Sequence, residues 1–116
     1  MAIEYRSLGR TGLEVGVLGL GTEHLDRAPE VLDTVLGLGI DRGMNYVDML
    51  YTDADYWAVN GPVYRAHRES LVAAVHWGPE RDIDESQRRL DNILRHLGND
   101  HAEIVFLTVV DDPQTW

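Results

Sequence analysis

Short apolar segments alternate along this chain with longer segments of helical periodicity. Four apolar runs have the length of a β-strand: residues 16–21, 44–48, 71–76 and 103–110. Three helical segments separate them: residues 26–43, 55–64 and 82–97, the second being expected to end at Gly61-Pro62. Nearly continuous apolar strands that alternate with helices are typical of a parallel sheet covered by helices. The sequence therefore predicts an α/β fold.

The segment before the first of these strands predicts a β-hairpin over residues 5–15. Its two arms flank Gly9-Arg-Thr-Gly12, whose glycines can adopt the positive φ angles that a tight turn requires. No internal repeat or linker interrupts the 116 residues. We therefore predict one domain over residues 1–116.

The composition excludes several classes of function. The 20 acidic residues outnumber the 10 basic ones, which gives a net charge of -10 and argues against a nucleic-acid partner. No apolar run reaches the roughly 20 residues that a membrane helix needs, and the N-terminus does not resemble a secretory signal. The chain also contains no cysteine. These features predict a cytoplasmic protein with no membrane partner.

Polar side chains follow the strands at the points where the strands end. Asp48 closes the second apolar run, and His76 closes the third. In parallel α/β folds the functional groups lie at the carboxyl ends of the strands. A carboxylate and an imidazole at neighbouring strand ends could serve acid-base chemistry, although each residue alone is also compatible with a structural role.

A metal-dependent, hydrolase-like site is an alternative reading of these positions. His24, Asp48 and His76 are chemically acceptable zinc ligands at neighbouring strand ends. Their spacing matches no short metal-binding motif, so we assign no metal ligand.

The order of the segments, and the motifs within them, resemble the aldo-keto reductase family. The matching motifs are Leu8-Gly-Arg-Thr-Gly-Leu13, Leu18-Gly-Leu-Gly-Thr22, Gly43-Met-Asn-Tyr-Val-Asp48, and Arg88-Arg-Leu90 with Leu97-Gly98. The resemblance implies a partial (β/α)8 TIM barrel, with an N-terminal hairpin and about four parallel strands. It also implies reduction of a small-molecule carbonyl substrate by NAD(P)H, with Gly21, Thr22 and Asp48 beside an NADP cofactor.

The catalytic positions depart from the family pattern. Family members use an aspartate, a tyrosine, a lysine and a histidine, and this chain contains no lysine because all its basic residues are arginines. The aspartate corresponds to Asp48. The tyrosine, lysine and histidine positions are occupied by Asp53, His76 and Thr108. The resemblance therefore implies a divergent reductase, whose expected catalytic residues are Asp48, His76 and, two positions before Asp53, Tyr51.

The length of the chain raises a second possibility. A complete barrel takes about 250 residues, and four strands would leave two sheet edges open to pairing with another chain. The expected partner is a second copy of the chain or a complementary C-terminal chain. A non-catalytic half-barrel that serves association, or a pseudoenzyme subunit, is therefore the alternative to a reductase.

Overall fold

The computed structural model describes residues 2–25, 28–78, 82–98 and 100–108, together with Gln114. Its elements are, in order, β1 (Tyr5–Ser7), β2 (Glu14–Gly16), β3 (Leu20–Gly21), α1 (Pro29–Asp41), β4 (Tyr46–Met49), α2 (Ala54–His67), a short 3-10 helix (Arg68–Ser70), β5 (Val72–Trp77), α3 (Ile83–Leu97) and β6 (Ile104–Leu107).

The main sheet is parallel and its strands follow one another in chain order. It has the order β3-β4-β5-β6, and all three pairings are parallel. Strands β1 and β2 form a separate antiparallel pair, with Gly9 and Gly12 at positive φ in the turn between them. The predicted α/β fold with an N-terminal hairpin is confirmed.

The predicted buried strand over residues 16–21 is mostly wrong. Gly16 belongs to β2 and pairs with Tyr5 of the hairpin, so only Leu20 and Gly21 remain for the parallel sheet. Val17 and Leu18 are exposed instead of buried. The apolar run therefore serves two sheets, which its composition alone does not reveal.

Three helices cover one face of the parallel sheet and form the core with it. Buried side chains come from all three helices and from the two central strands: Leu32, Leu36, Val47, Met49, Tyr56, Trp57, Tyr64, Ala73, Val75, Ile93 and Leu97. Helix α3 has the predicted ends, because Asp82 accepts hydrogen bonds from two first-turn amides and Gly98 follows at a φ of 75°. Ile83, the apolar residue that begins this helix, is exposed.

Helix α2 continues through the residues that were expected to end it. Pro62 lies inside the helix, which extends to His67. Gly61 is buried where α2 meets α3, and a Cβ atom added there would lie 2.6 Å from Nδ1 and 2.8 Å from Cβ of His96. The close approach of the two helices explains the glycine and stabilises a helix that local propensity disfavours.

This contact predicts opposite effects for two glycine-to-alanine changes. Gly61→Ala should lower the free energy of unfolding by about 1–3 kcal/mol, since the added methyl group forces the helices apart. Gly37→Ala in α1 should raise it by about 0.5–1 kcal/mol, because a Cβ there meets no atom within 4 Å and alanine favours the helix. Urea unfolding midpoints of the two variants measure both effects, and equal shifts would contradict the packing argument.

Candidate functional site

The parallel sheet brings three polar side chains to one edge. Asp48 lies in β4, His76 lies in β5, and Thr108 directly follows β6. The register pairs Asp48 with Ala74, and His76 with Phe106. Because neighbouring parallel strands end at the same edge of a sheet, side chains that are distant in sequence meet there.

These three side chains form a hydrogen-bonded chain centred on the imidazole. His76 Nε2 lies 2.6 Å from Asp48 Oδ1, and His76 Nδ1 lies 2.9 Å from Thr108 Oγ1. The His76 side chain is only 12% exposed, whereas that of Asp48 is 41% exposed. Both ring nitrogens are therefore engaged in a partly buried site whose carboxylate still reaches solvent.

The carboxylate fixes the tautomer of the imidazole. An ionised Asp48 can only accept a hydrogen bond, so Nε2 carries a proton. In the neutral ring Nδ1 then accepts from the Thr108 hydroxyl, and in the imidazolium Nδ1–H donates to it. The protonation state of His76 thus sets the direction of the Thr108 hydroxyl group.

A groove lies over this chain of hydrogen bonds. It has a volume of about 360 Å³ and is lined by Asp48, His76, Phe106, Leu107 and Thr108. The Phe106 ring is centred 5.3 Å from the His76 ring. The groove thus combines one carboxylate, one imidazole and one hydroxyl with an apolar wall, a composition that suits a small ligand with a single polar group.

The predicted cofactor-binding residues Gly21 and Thr22 lie beside Asp48. Gly21 pairs with Asp48 in the sheet, and a Cβ atom there would meet nothing within 4 Å. Thr22 is fully buried, and its hydroxyl donates a 2.8 Å hydrogen bond to the Asp48 carbonyl oxygen. In this arrangement Thr22 holds the backbone that carries Asp48, while the space above Gly21 is open.

The described contacts of Tyr51 are with residues other than Asp48 and His76. Its hydroxyl accepts a hydrogen bond from the His24 amide at 3.4 Å, and its ring lies 4.6 Å from that of Tyr56. Among the described residues, no hydrogen bond or ion pair joins Tyr51 to Asp48 or His76. The structure thus brings two of the three expected catalytic residues together, and a role for Tyr51 stays a prediction.

Asp53, which occupies the family's tyrosine position, caps a helix. Its carboxylate accepts a 2.8 Å hydrogen bond from the Tyr56 amide at the start of α2. The side chain is thereby committed to the backbone, so the structure explains this residue without a catalytic role.

Two groups near the site were not predicted from the sequence. Thr108 was expected near the end of the last strand and in place of the family's histidine, but it was not predicted to be a site residue. The second group is a pair of buried tyrosines, Tyr56 and Tyr64, whose hydroxyls lie 2.6 Å apart. Burial raises the pKa of both phenols, so both remain neutral. Their spacing of eight residues within α2 places both on one side of the helix, and this is the signal that could have indicated the pair.

The alternative metal site finds no support in the described residues. Among them, no group of three or more His, Asp or Glu side chains is arranged to hold a metal ion. His24 is exposed, with a positive φ of 70°, and it does not join Asp48 and His76.

None of the described helices is long and apolar enough to cross a membrane.

Comparison with solved structures finds aldo-keto reductases. The chain superposes on a candidate aldo-keto reductase from Pseudomonas aeruginosa with a TM-score of 0.80 and 27% identity, covering 96% of this chain and 48% of the other. An aldo-keto reductase from Klebsiella pneumoniae in complex with NADPH gives a TM-score of 0.70 and 26% identity, covering 97% and 41%. The holo form of an aldo-keto reductase from Bacillus halodurans gives 0.74 and 21%, covering 97% and 43%.

No family model and no curated protein matches the sequence. The chain spans about half the length of the structures it matches. Those matches include the hairpin, the parallel strands and the helices between them, because they cover nearly the whole of this chain. The resemblance to aldo-keto reductases is thereby confirmed: the chain is a partial (β/α)8 barrel that corresponds to an N-terminal half of the aldo-keto reductase fold.

Proposed function

We propose that this half-barrel carries the proton-donating side of an NAD(P)H-dependent carbonyl reduction. The observation that supports it is the 2.6 Å contact between His76 Nε2 and Asp48 Oδ1 under an open groove. A similar aldo-keto reductase has been solved in complex with NADPH. The proposed chemistry combines that relative's cofactor with an acid-base pair found in this chain.

His76 takes the role of the acid in this proposal. A histidine changes its charge between about pH 5 and 8, so an imidazolium can supply a proton to a carbonyl oxygen near neutral pH. The Asp48 carboxylate stabilises the positive ring and holds its orientation. When bound, the reduced nicotinamide would supply the hydride to the carbonyl carbon. The tyrosine and lysine that the family uses are then not needed to supply this proton.

The residues that line the groove fit only the nicotinamide end of such a cofactor. Asp48, His76 and Thr108 offer polar groups to a carboxamide or a carbonyl, beside the apolar Phe106 and Leu107. Phosphates prefer helix N-termini and arginines. Acidic residues occupy the first turns of the three described helices, namely Glu30, Asp55, Asp84 and Glu85, and the groove lining contains no arginine. Phosphate binding is thus not provided by these described residues.

Turnover of a reactive aromatic aldehyde tests the proposal. The hydride donor is supplied as NADPH and, separately, as reduced nicotinamide mononucleotide, which lacks the adenosine half. We expect the wild-type chain to reduce the aldehyde and His76→Gln to lose about 100-fold or more in rate, since glutamine cannot act as the acid. The control is His101→Gln, an exposed histidine that precedes β6 at the opposite edge of the sheet. Absence of turnover with both donors would exclude the reductase proposal for this chain.

Association without chemistry is a second candidate, and the outer strand favours it. Val105, Phe106 and Leu107 of β6 are 44%, 40% and 57% exposed, and β6 has only β5 as a described neighbour in the sheet. We propose that β6 pairs with a strand of a second copy or of a complementary chain, because exposed apolar edge strands favour pairing. Sedimentation should then show concentration-dependent association, whereas a strict monomer at all concentrations would refute self-association.

A further inference from the structure

We propose that Thr108 donates the proton to the carbonyl oxygen and receives a replacement proton from His76. This inference rests on the proposed carbonyl reduction and assigns its last proton transfer. Neither the family pattern nor the sequence spacing gives threonine this role, because the family places a histidine at this position. The supporting observations are the two hydrogen bonds of His76 and the place of Thr108 in the groove.

The imidazole has no free nitrogen with which to reach a substrate. Nε2 donates to Asp48 at 2.6 Å, and Nδ1 lies 2.9 Å from Thr108 Oγ1. Direct transfer from the ring would first break one of these bonds inside a site where the side chain is 12% exposed. Breaking a hydrogen bond in a partly buried site costs free energy. Transfer through the hydroxyl keeps both bonds in place.

Thr108 is held in position to act as the relay. Its amide donates a 3.1 Å hydrogen bond to the Trp77 carbonyl oxygen, which extends the β5–β6 pairing by one residue. The backbone that carries the hydroxyl is therefore fixed by the sheet. The side chain lines the groove together with Phe106 and Leu107, so the hydroxyl borders the space in which a carbonyl substrate would lie.

The proton passes from His76 through Thr108 to the carbonyl oxygen. With His76 as imidazolium, Nδ1–H donates to Thr108 Oγ1, so the Thr108 O–H points away from the ring toward the groove. A bound reduced nicotinamide would supply the hydride to the carbonyl carbon, and the Thr108 O–H proton moves to the carbonyl oxygen. The Nδ1 proton moves simultaneously to Thr108 Oγ1. The products are an alcohol, an oxidised nicotinamide and neutral His76, which regains a proton from solvent. Oxidation of an alcohol follows the same path in reverse.

The hydrogen bond itself can be tested without any activity measurement. In ¹H–¹⁵N spectra of the imidazolium form, the His76 Nδ1–H signal should be sharp in the wild type and in Thr108→Ser, where a hydroxyl accepts the bond. In Thr108→Val, which keeps the shape but not the acceptor, the signal should broaden or vanish through exchange with water. Thr108→Ala serves as a second hydroxyl-free variant. Identical signals in all four proteins would overturn the proposal.

Aldehyde turnover then separates the relay from the reduction. We expect Thr108→Val to lose about 100-fold in kcat with a smaller change in KM, and Thr108→Ser to retain most of the activity. A wild-type chain without turnover would refute the reduction and the relay together. Activity that is lost in His76→Gln but kept in Thr108→Val would refute the relay alone.

Discussion

The variant Asp48→Asn is expected to lose about 10³-fold in the proposed carbonyl turnover, while the free energy of unfolding changes little. An asparagine has nearly the same shape, but its amide nitrogen can donate to His76 Nε2, which shifts the ring proton to Nδ1 and removes the charge that stabilises the imidazolium. The Asp48 side chain is 41% exposed, so the loss of the ion pair should cost under about 1 kcal/mol. Steady-state kinetics and urea unfolding of the same preparation measure the two quantities.

The chain provides a matched control for this change. Asp33 and His67 form a second aspartate–histidine pair, with Oδ1 and Nε2 2.7 Å apart, between α1 and the end of α2. Asp33→Asn makes the same chemical change away from the groove and should leave turnover unaltered. If Asp48→Asn lowered the stability but not the rate, Asp48 would be a structural carboxylate.

Local patterns predicted the elements that local chemistry controls. Helix α3 begins after Asp82 and ends before Gly98 as expected, because a side-chain cap and a left-handed glycine are properties of those residues themselves. The meeting of Asp48 and His76 followed from their places in two neighbouring parallel strands. In each case the determining information lies within a few residues, or within the regular geometry of a sheet.

Other features depend on contacts that no local pattern contains. Helix α2 passes through Pro62 because α2 packs closely against α3 at Gly61, which outweighs the local preference for a break. The run before β3 is divided between two sheets by the pairing of Gly16 with the hairpin. Thr108 joined the site only when the folded sheet brought its hydroxyl to 2.9 Å from Nδ1 of His76. Contacts of this kind are determined by the tertiary structure and not by the local sequence.

The second large effect is expected at the opposite edge of the sheet. Glu103→Gln should lower the free energy of unfolding by about 3 kcal/mol, because it leaves the buried Arg68 guanidinium without a counter-charge. The side chains of Arg68 and Glu103 are 8% and 17% exposed, and Arg68 Nη2 lies 2.9 Å from Glu103 Oε1. Glu103 Oε2 also accepts a 2.7 Å hydrogen bond from the Ala73 amide, which ties the start of β5 to the pair. Urea unfolding at neutral pH measures the loss.

The pH dependence of unfolding distinguishes this ion pair from a general loss of packing. Burial raises the pKa of Glu103, but hydrogen bonds from Arg68 and from the Ala73 amide outweigh burial, so its pKa lies below the ordinary value. A carboxyl with a lowered folded-state pKa stabilises the protein above its unfolded pKa, and that stability is lost as the pH falls through the folded pKa. The wild type should therefore lose more stability than Glu103→Gln on acidification. The control Glu85→Gln, in an exposed pair with Arg88, should change stability little at neutral pH. Parallel acid profiles for the wild type and Glu103→Gln would show that the carboxylate charge contributes nothing to the stability of the fold.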